Sequence, residues 1–193
     1  MLWDALWRAF IMLFIVFDAI GNIPIFYALT KNMDEGKRWR IFVKSLLIAS
    51  FLLLFFMAFG WSFLAYYGIT LDDFRIAGGI LLLIIAVEEV FGRVEAQLIE
   101  SGDIAVVPMA TPLWAGPGSI YTVMYLTALY GYLPTMVSIL LNALVALLLL
   151  KISETLLTKV GKNLIMVLSR LMGLILAVLA VSMIRQGVLN LIH

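Results

Sequence analysis

The chain has 193 residues, of which 64% are hydrophobic and only 13% charged. A soluble domain is about one quarter charged, so water cannot solvate this surface and a bilayer must. The net charge of +1 offers no basic face for nucleic acid, and the absence of cysteine excludes disulfides, thiol redox chemistry and thiolate metal sites.

A helix that crosses a bilayer needs about 20 mainly apolar residues. Segments near 5–29, 41–66, 72–91, 104–130, 134–152 and 164–189 qualify, with ends uncertain by a few residues. The first span contains Asp18, Gly21, Asn22 and Pro24. Proline removes a backbone donor and clashes with the preceding turn, while Gly and Asn tolerate left-handed dihedrals, so this span is predicted to unwind near its middle. Its first 17 residues mimic a leader, but no small-residue cleavage pattern follows them. The mixed loop after span 1 is the one place where charges crowd. Trp3, Trp7, Trp39, Trp61, Tyr66 and Tyr67 fit interfacial belts. In span 3, Gly78-Gly79, with Gly173 at the matched position of span 6, reads as packing against the broken helices, whereas Arg75, Glu88 and Glu89 read as snorkelling toward the interface, a gate-forming ion pair being the alternative. Residues 104–150 hold no charge over 47 positions and read as two spans joined by a turn at Gly131–Pro134. The fourth span carries Thr111, Pro112, Gly116, Pro117, Gly118 and Ser119, and a second, more severe break is expected there. Trp114 within it either closes a site or packs. Asn142 in span 5 reads as an interhelical hydrogen bonder. Arg170 and Gly173 mark the start of span 6.

An offset of 95 residues places Gly21 on Gly116, Ile25 on Ile120, Arg75 on Arg170, Gly78 on Gly173, Ile80 on Ile175 and Leu81 on Leu176 without a gap. The fold class expected is therefore an all-α polytopic membrane protein of six transmembrane helices. It forms a single domain over 1–193, built from repeats over 1–95 and 96–193. Three spans per half force the second repeat to enter the membrane inverted, with helices 1 and 4 broken near mid-membrane. Paired breaks in two inverted halves point to a transporter's binding site. Lys31, Lys37, Arg38, Arg40, Lys44, Arg93, Lys151, Lys159 and Lys162 fall on one side, against Arg8, Arg75 and Arg185 on the other. By the positive-inside rule both termini are extracytoplasmic.

Unwound backbone at membrane depth survives only against protein or a water-filled cavity. The half-helix starting near Pro24 or Ser119 offers free N–H groups to a carboxylate, and unwound carbonyls suit an ammonium, so a small zwitterion matches both ends. An inorganic anion would match the N–H end alone. Asp18 either couples protons or recognises the substrate amine, or it caps the unwound Gly21-Asn22 amides; both roles are open. Its repeat partner is Leu113, and no acid is expected to share its depth, since Asp72, Asp73 and Asp103 read as interfacial. With no zinc helix, no phosphate-binding loop and a single histidine, His193, at the last position, no metal, cofactor, ATP drive or enzymatic activity is expected.

Phe17-Asp18-Ala19-Ile20-Gly21-Asn22-Ile23-Pro24-Ile25-Phe26 resembles the Asp-Pro-x-Gly-Asn-x-Pro signature of the MarC family. Thr111-Pro112-Leu113-Trp114-Ala115-Gly116-Pro117-Gly118 resembles that family's Pro-Leu-x-Ala-Gly-Pro-Gly signature. Ala19 departs from the usual proline. The resemblance implies six helices and a place near the LysE-like carriers. Through the SnatA branch it also implies proton-coupled transport of small neutral amino acids such as glycine and alanine. Site assignments carry over to Asp18, Gly21, Asn22, Pro24, Thr111, Pro112, Gly116, Pro117 and Gly118. Export of amino acids or other small metabolites, a channel, and a non-transporting membrane assembly protein are the alternatives. The partners expected are membrane lipid of the cell (inner) membrane, a small neutral amino acid and protons, and a homo-oligomer is compatible with the chain.

Overall fold

The computed structural model describes residues 2–91, 105–159 and 161–192. Arg93, Asp103, the boundary between residues 95 and 96, and His193 lie outside them. The described residues are helical almost throughout and contain no strand. Backbone groups in hydrocarbon must find partners within their own segment, and only helices achieve that without closing a barrel.

The first helix, α1 (Leu2–Phe17), ends at a run of turns over residues 18–22, and α2 (Ile23–Thr30) follows. Next comes α3 (Glu35–Tyr66), started by Asp34, whose side chain accepts the Lys37 amide at 2.8 Å and so satisfies one of the orphan donors of a helix start. After Gly68, α4 (Leu71–Phe91) returns. A π-helical segment, Ala105–Trp114, has non-helical dihedrals at Val107 and Thr111, and the Thr111–Pro112 peptide is cis. It leads through Ala115 and Gly116 into α5 (Pro117–Tyr130). Gly131 alone, at φ 86°, separates α5 from α6 (Tyr132–Lys151); a positive φ there suits glycine, and the turn occupies a shorter stretch than the Gly131–Pro134 expected. The chain closes with α7 (Ser153–Lys159) and α8 (Lys162–Ile192).

Among the described residues, three helices (α3, α6 and the Asn163–Ile192 part of α8) are long and apolar enough to cross a membrane. Their outward faces carry exposed Phe51, Phe59, Leu140, Leu148, Val178 and Val181, which no monomer would present to water on this scale.

Two main buried clusters shape the interior, beside a smaller one of Ile23, Leu157 and Ile165. The larger gathers α1, α2, α3, the π segment, α5 and α6 around Phe17, Phe26 and Trp114. Trp114 is fully buried, with its ring 4.7 Å from both Phe17 and Phe26. Of the two roles open to it, the geometry shows packing.

The second cluster joins α4, α5 and α8 through Leu82, Ala86, Tyr121, Leu176, Ala180 and Met183. Here α4 and α8 approach almost backbone to backbone. A Cβ on Gly79 would lie 3.0 Å from the Ala180 carbonyl oxygen, one on Gly173 3.2 Å from that of Ala86, and one on Gly187 3.0 Å from that of Asp72. Small residues allow such approach where lipid supplies no hydrophobic drive between helices. Gly78 instead faces the Pro117 carbonyl, 3.4 Å from its would-be Cβ. The α4–α8 pair thus lies against the start of α5, and the polar interior sits at that junction. Asn142 ties α6 to α1 by donating to the Phe10 carbonyl at 3.3 Å.

Candidate functional site

Turn residues 18–22 carry polar side chains inward where the helix is interrupted, although the Asn22 amide still bonds the Asp18 carbonyl four residues back at 3.2 Å. Asp18 takes a left-handed φ of 47°, a conformation that Asp tolerates better than most residues. Its carboxylate accepts the Gly21 amide at 3.1 Å. The Asn22 side chain, buried like Asp18, donates to the Asp18 carbonyl at 2.9 Å. The capping role open to Asp18 in the sequence is therefore present.

Asp18 is not alone at this depth. Glu89 of α4 is only 6% exposed, and its carboxyl is in hydrogen-bond contact with that of Asp18. Both carboxyls converge on Gly21, where a Cβ would strike each of them. The Ser169 hydroxyl of α8 lies 2.8 Å from Glu89 Oε1 and 3.1 Å from the Gly21 carbonyl. Two expectations are corrected here: Glu89 does not snorkel to an interface, and Asp18 does have an acidic partner. The physical reason is the α4–α8 contact, which turns this face of α4 into the protein while Glu88 beside it is only partly buried. Arg75 does not snorkel freely either, since its side chain is 13% exposed and faces Asp72 and Gln186.

Proton counting constrains the cluster. A carbonyl only accepts, so when the Ser169 hydroxyl donates to Gly21, Glu89 must hold a proton to bond Ser169. A bond between the two carboxyls likewise needs a proton on one of them. The contacts require at least one shared proton in the pair, and two when all three bonds are made at once.

A cavity of 30 Å³ adjoins the pair, lined by Val16, Asp18, Asn22, Leu82, Glu89, Pro112, Leu113 and residues 116–119, with further apolar groups of α2, α4 and α8. That is room for about one or two waters. The expected residues Asp18, Asn22, Pro112, Gly116, Pro117, Gly118 and Ser119 all reach its wall. Gly21 lies behind the carboxyls. Pro24 sits in the first turn of α2, off the wall, and Thr111 donates instead to the Val106 carbonyl at 3.2 Å. The wall includes the N-terminus of α5, whose first-turn amides have no intrahelical acceptor. Ser169 and Glu89 were missed as site residues. A buried acid near a helix end looks like a snorkelling one until its neighbours are known.

An all-helical chain with apolar faces outside and a small polar interior is an integral membrane protein of the polytopic helical class. The model of the MarC family integral membrane protein matches residues 3–192, and the chain belongs to that family. It is 38% identical over 192 residues to the UPF0056 membrane protein MJ1677 of Methanocaldococcus jannaschii, covering 93% of this chain and 94% of that protein. It is 35% identical over 201 residues to the UPF0056 membrane protein YvbG of Bacillus subtilis, covering 97% and 95%. The UPF0056 inner membrane protein YhgN of Escherichia coli K12 is 33% identical over 187 residues, covering 93% and 94%. No solved structure matches the chain.

Proposed function

We propose that this protein is a secondary transporter of small neutral amino acids of the glycine and alanine class, coupled to protons. In this reading α1 with α2, and the π segment with α5, are each one span interrupted inside the membrane. The two inverted halves exchange inward and outward openings around the fixed interior, and both chain ends face the extracytoplasmic side of the cell membrane. The observation that carries it is the cavity where the two interruptions meet, with a carboxyl pair on one wall and the start of α5 on another. An ammonium suits the first and a carboxylate the second. At 30 Å³ the cavity is smaller than an amino acid, as a contracted state without substrate would be.

The test is uptake of radiolabelled glycine into proteoliposomes driven by a proton gradient. Gly118→Leu is the diagnostic variant. Even a Cβ there would lie 3.0 Å from Val16 Cγ1 and 3.1 Å from Leu82 Cδ1, so the larger side chain must enter the cavity or part its walls. Folded Gly118→Leu is expected to lose uptake, and normal uptake would remove the cavity from the pathway. Gly116 is a poorer probe, because its Cβ would collide with the Pro112 carbonyl oxygen and disturb the backbone itself.

A further inference from the structure

A second cavity lies nearer the side that holds the start of α4 and the end of α8. It measures 250 Å³ and is bordered by α1, α4, α5 and α8. A 150 Å³ apolar cavity already takes up benzene in another protein, so this one has room for a small organic molecule. Its polar wall consists of Arg75, Tyr121, Thr122, Ser182 and Gln186.

These groups leave donors over. Arg75 Nη2 donates to Gln186 Oε1, and Nη1 stands 3.7 Å from the Asp72 carboxylate. Arg75 Nε is buried with no partner among the described residues, and so is the hydroxyl of Tyr121, a residue only 4% exposed. Gln186 spends its amide on Ser182 Oγ at 3.2 Å, which leaves the Ser182 proton free to donate. The Arg75 guanidinium is held over the Tyr121 and Tyr125 rings, 5.3 and 5.9 Å from their centroids. Buried polar groups nearly always have partners, so unpaired donors beside an open volume point to a missing acceptor.

We propose that this cavity binds a small carboxylate, held by Arg75 Nε and the Tyr121 hydroxyl. A carboxylate accepts at both oxygens, and guanidinium is its best planar donor. A monoanion fits better than a phosphate, because one cation, already facing Asp72, supplies all the positive charge. Val16 lines both cavities, so it is the partition between this site and the deep one.

The experiment is calorimetric titration of the full-length protein in nanodiscs with sodium acetate, and with sodium phosphate and ethylammonium chloride in parallel. It reads binding alone and does not depend on transport. Saturable acetate binding is expected, with neither phosphate nor ethylammonium matching it. Arg75→Gln should weaken acetate at least about tenfold and Tyr121→Phe about threefold to tenfold. Tyr121→Phe removes one oxygen, and so serves should Arg75→Gln fail to fold. Any of three results would overturn the site: no saturable acetate binding, phosphate preferred, or unchanged affinity in both cavity variants.

Discussion

Replacing Glu89 by glutamine separates the proton on this side chain from its packing. The amide oxygen can still accept from Ser169, 2.8 Å away in the native protein. The amide NH2 can donate to the Asp18 carboxylate that Glu89 contacts. Each native bond thus has a substitute, and the cost in stability should stay below about 1 kcal/mol. Alanine has no substitutes. It deletes one methylene, about 0.8 kcal/mol, and leaves the buried Asp18 carboxyl and Ser169 short of a partner, about 1–3 kcal/mol. Glu89→Ala should therefore melt well below both wild type and Glu89→Gln in detergent. The functional contrast runs the other way, because glutamine cannot carry a proton. One proton moved with each glycine down a gradient of one pH unit supplies about 1.36 kcal/mol, which supports about tenfold accumulation. Wild-type proteoliposomes should approach that ratio. Glu89→Gln should only equilibrate glycine, while still exchanging labelled for unlabelled substrate. A folded Glu89→Gln protein that accumulates glycine as wild type does would remove Glu89 from coupling. Failure of wild type to respond to the pH gradient would remove proton coupling altogether.

Trp114→Ala should cost about 3–5 kcal/mol, as for other large aromatic deletions, because the ring is fully buried between Phe17 and Phe26. Trp114→Phe should cost far less, since it keeps an aromatic and removes an indole N–H that is buried with no partner among the described residues. Thermal melting of the two variants ranks them, and equal losses would contradict the packing role. The native chain has no cysteine, so single cysteines report topology directly. Lys37→Cys should react with an impermeant maleimide only from the cytoplasmic side, and His193→Cys only from the outside. Labelling of Lys37→Cys from the outside and of His193→Cys from the inside would reverse the loop-charge argument, and labelling of both from one side would contradict the six-span count.

Composition alone excluded water as solvent, and hydrophobic run lengths placed α3, α6 and α8 within a few residues of their observed ends. Local chemistry also placed the interior polar segments. Asp18, Gly21 and Asn22 are poor helix formers, and Gly116 and Pro117 likewise mark the entry to α5. Those effects act over a turn of chain, so they are legible in one sequence. Glu89 was not. It stands beside Glu88 near the end of an apolar run, and nothing local distinguishes the two; the glycine-mediated contact of α4 with α8 buries Glu89 and leaves Glu88 only partly buried. Its partners Asp18 and Ser169 are 71 and 80 residues away, and Gln186 is 111 residues from Arg75. Which polar groups share a cavity is set by helix rotation and packing, which a single sequence constrains only through the sum of many weak contacts.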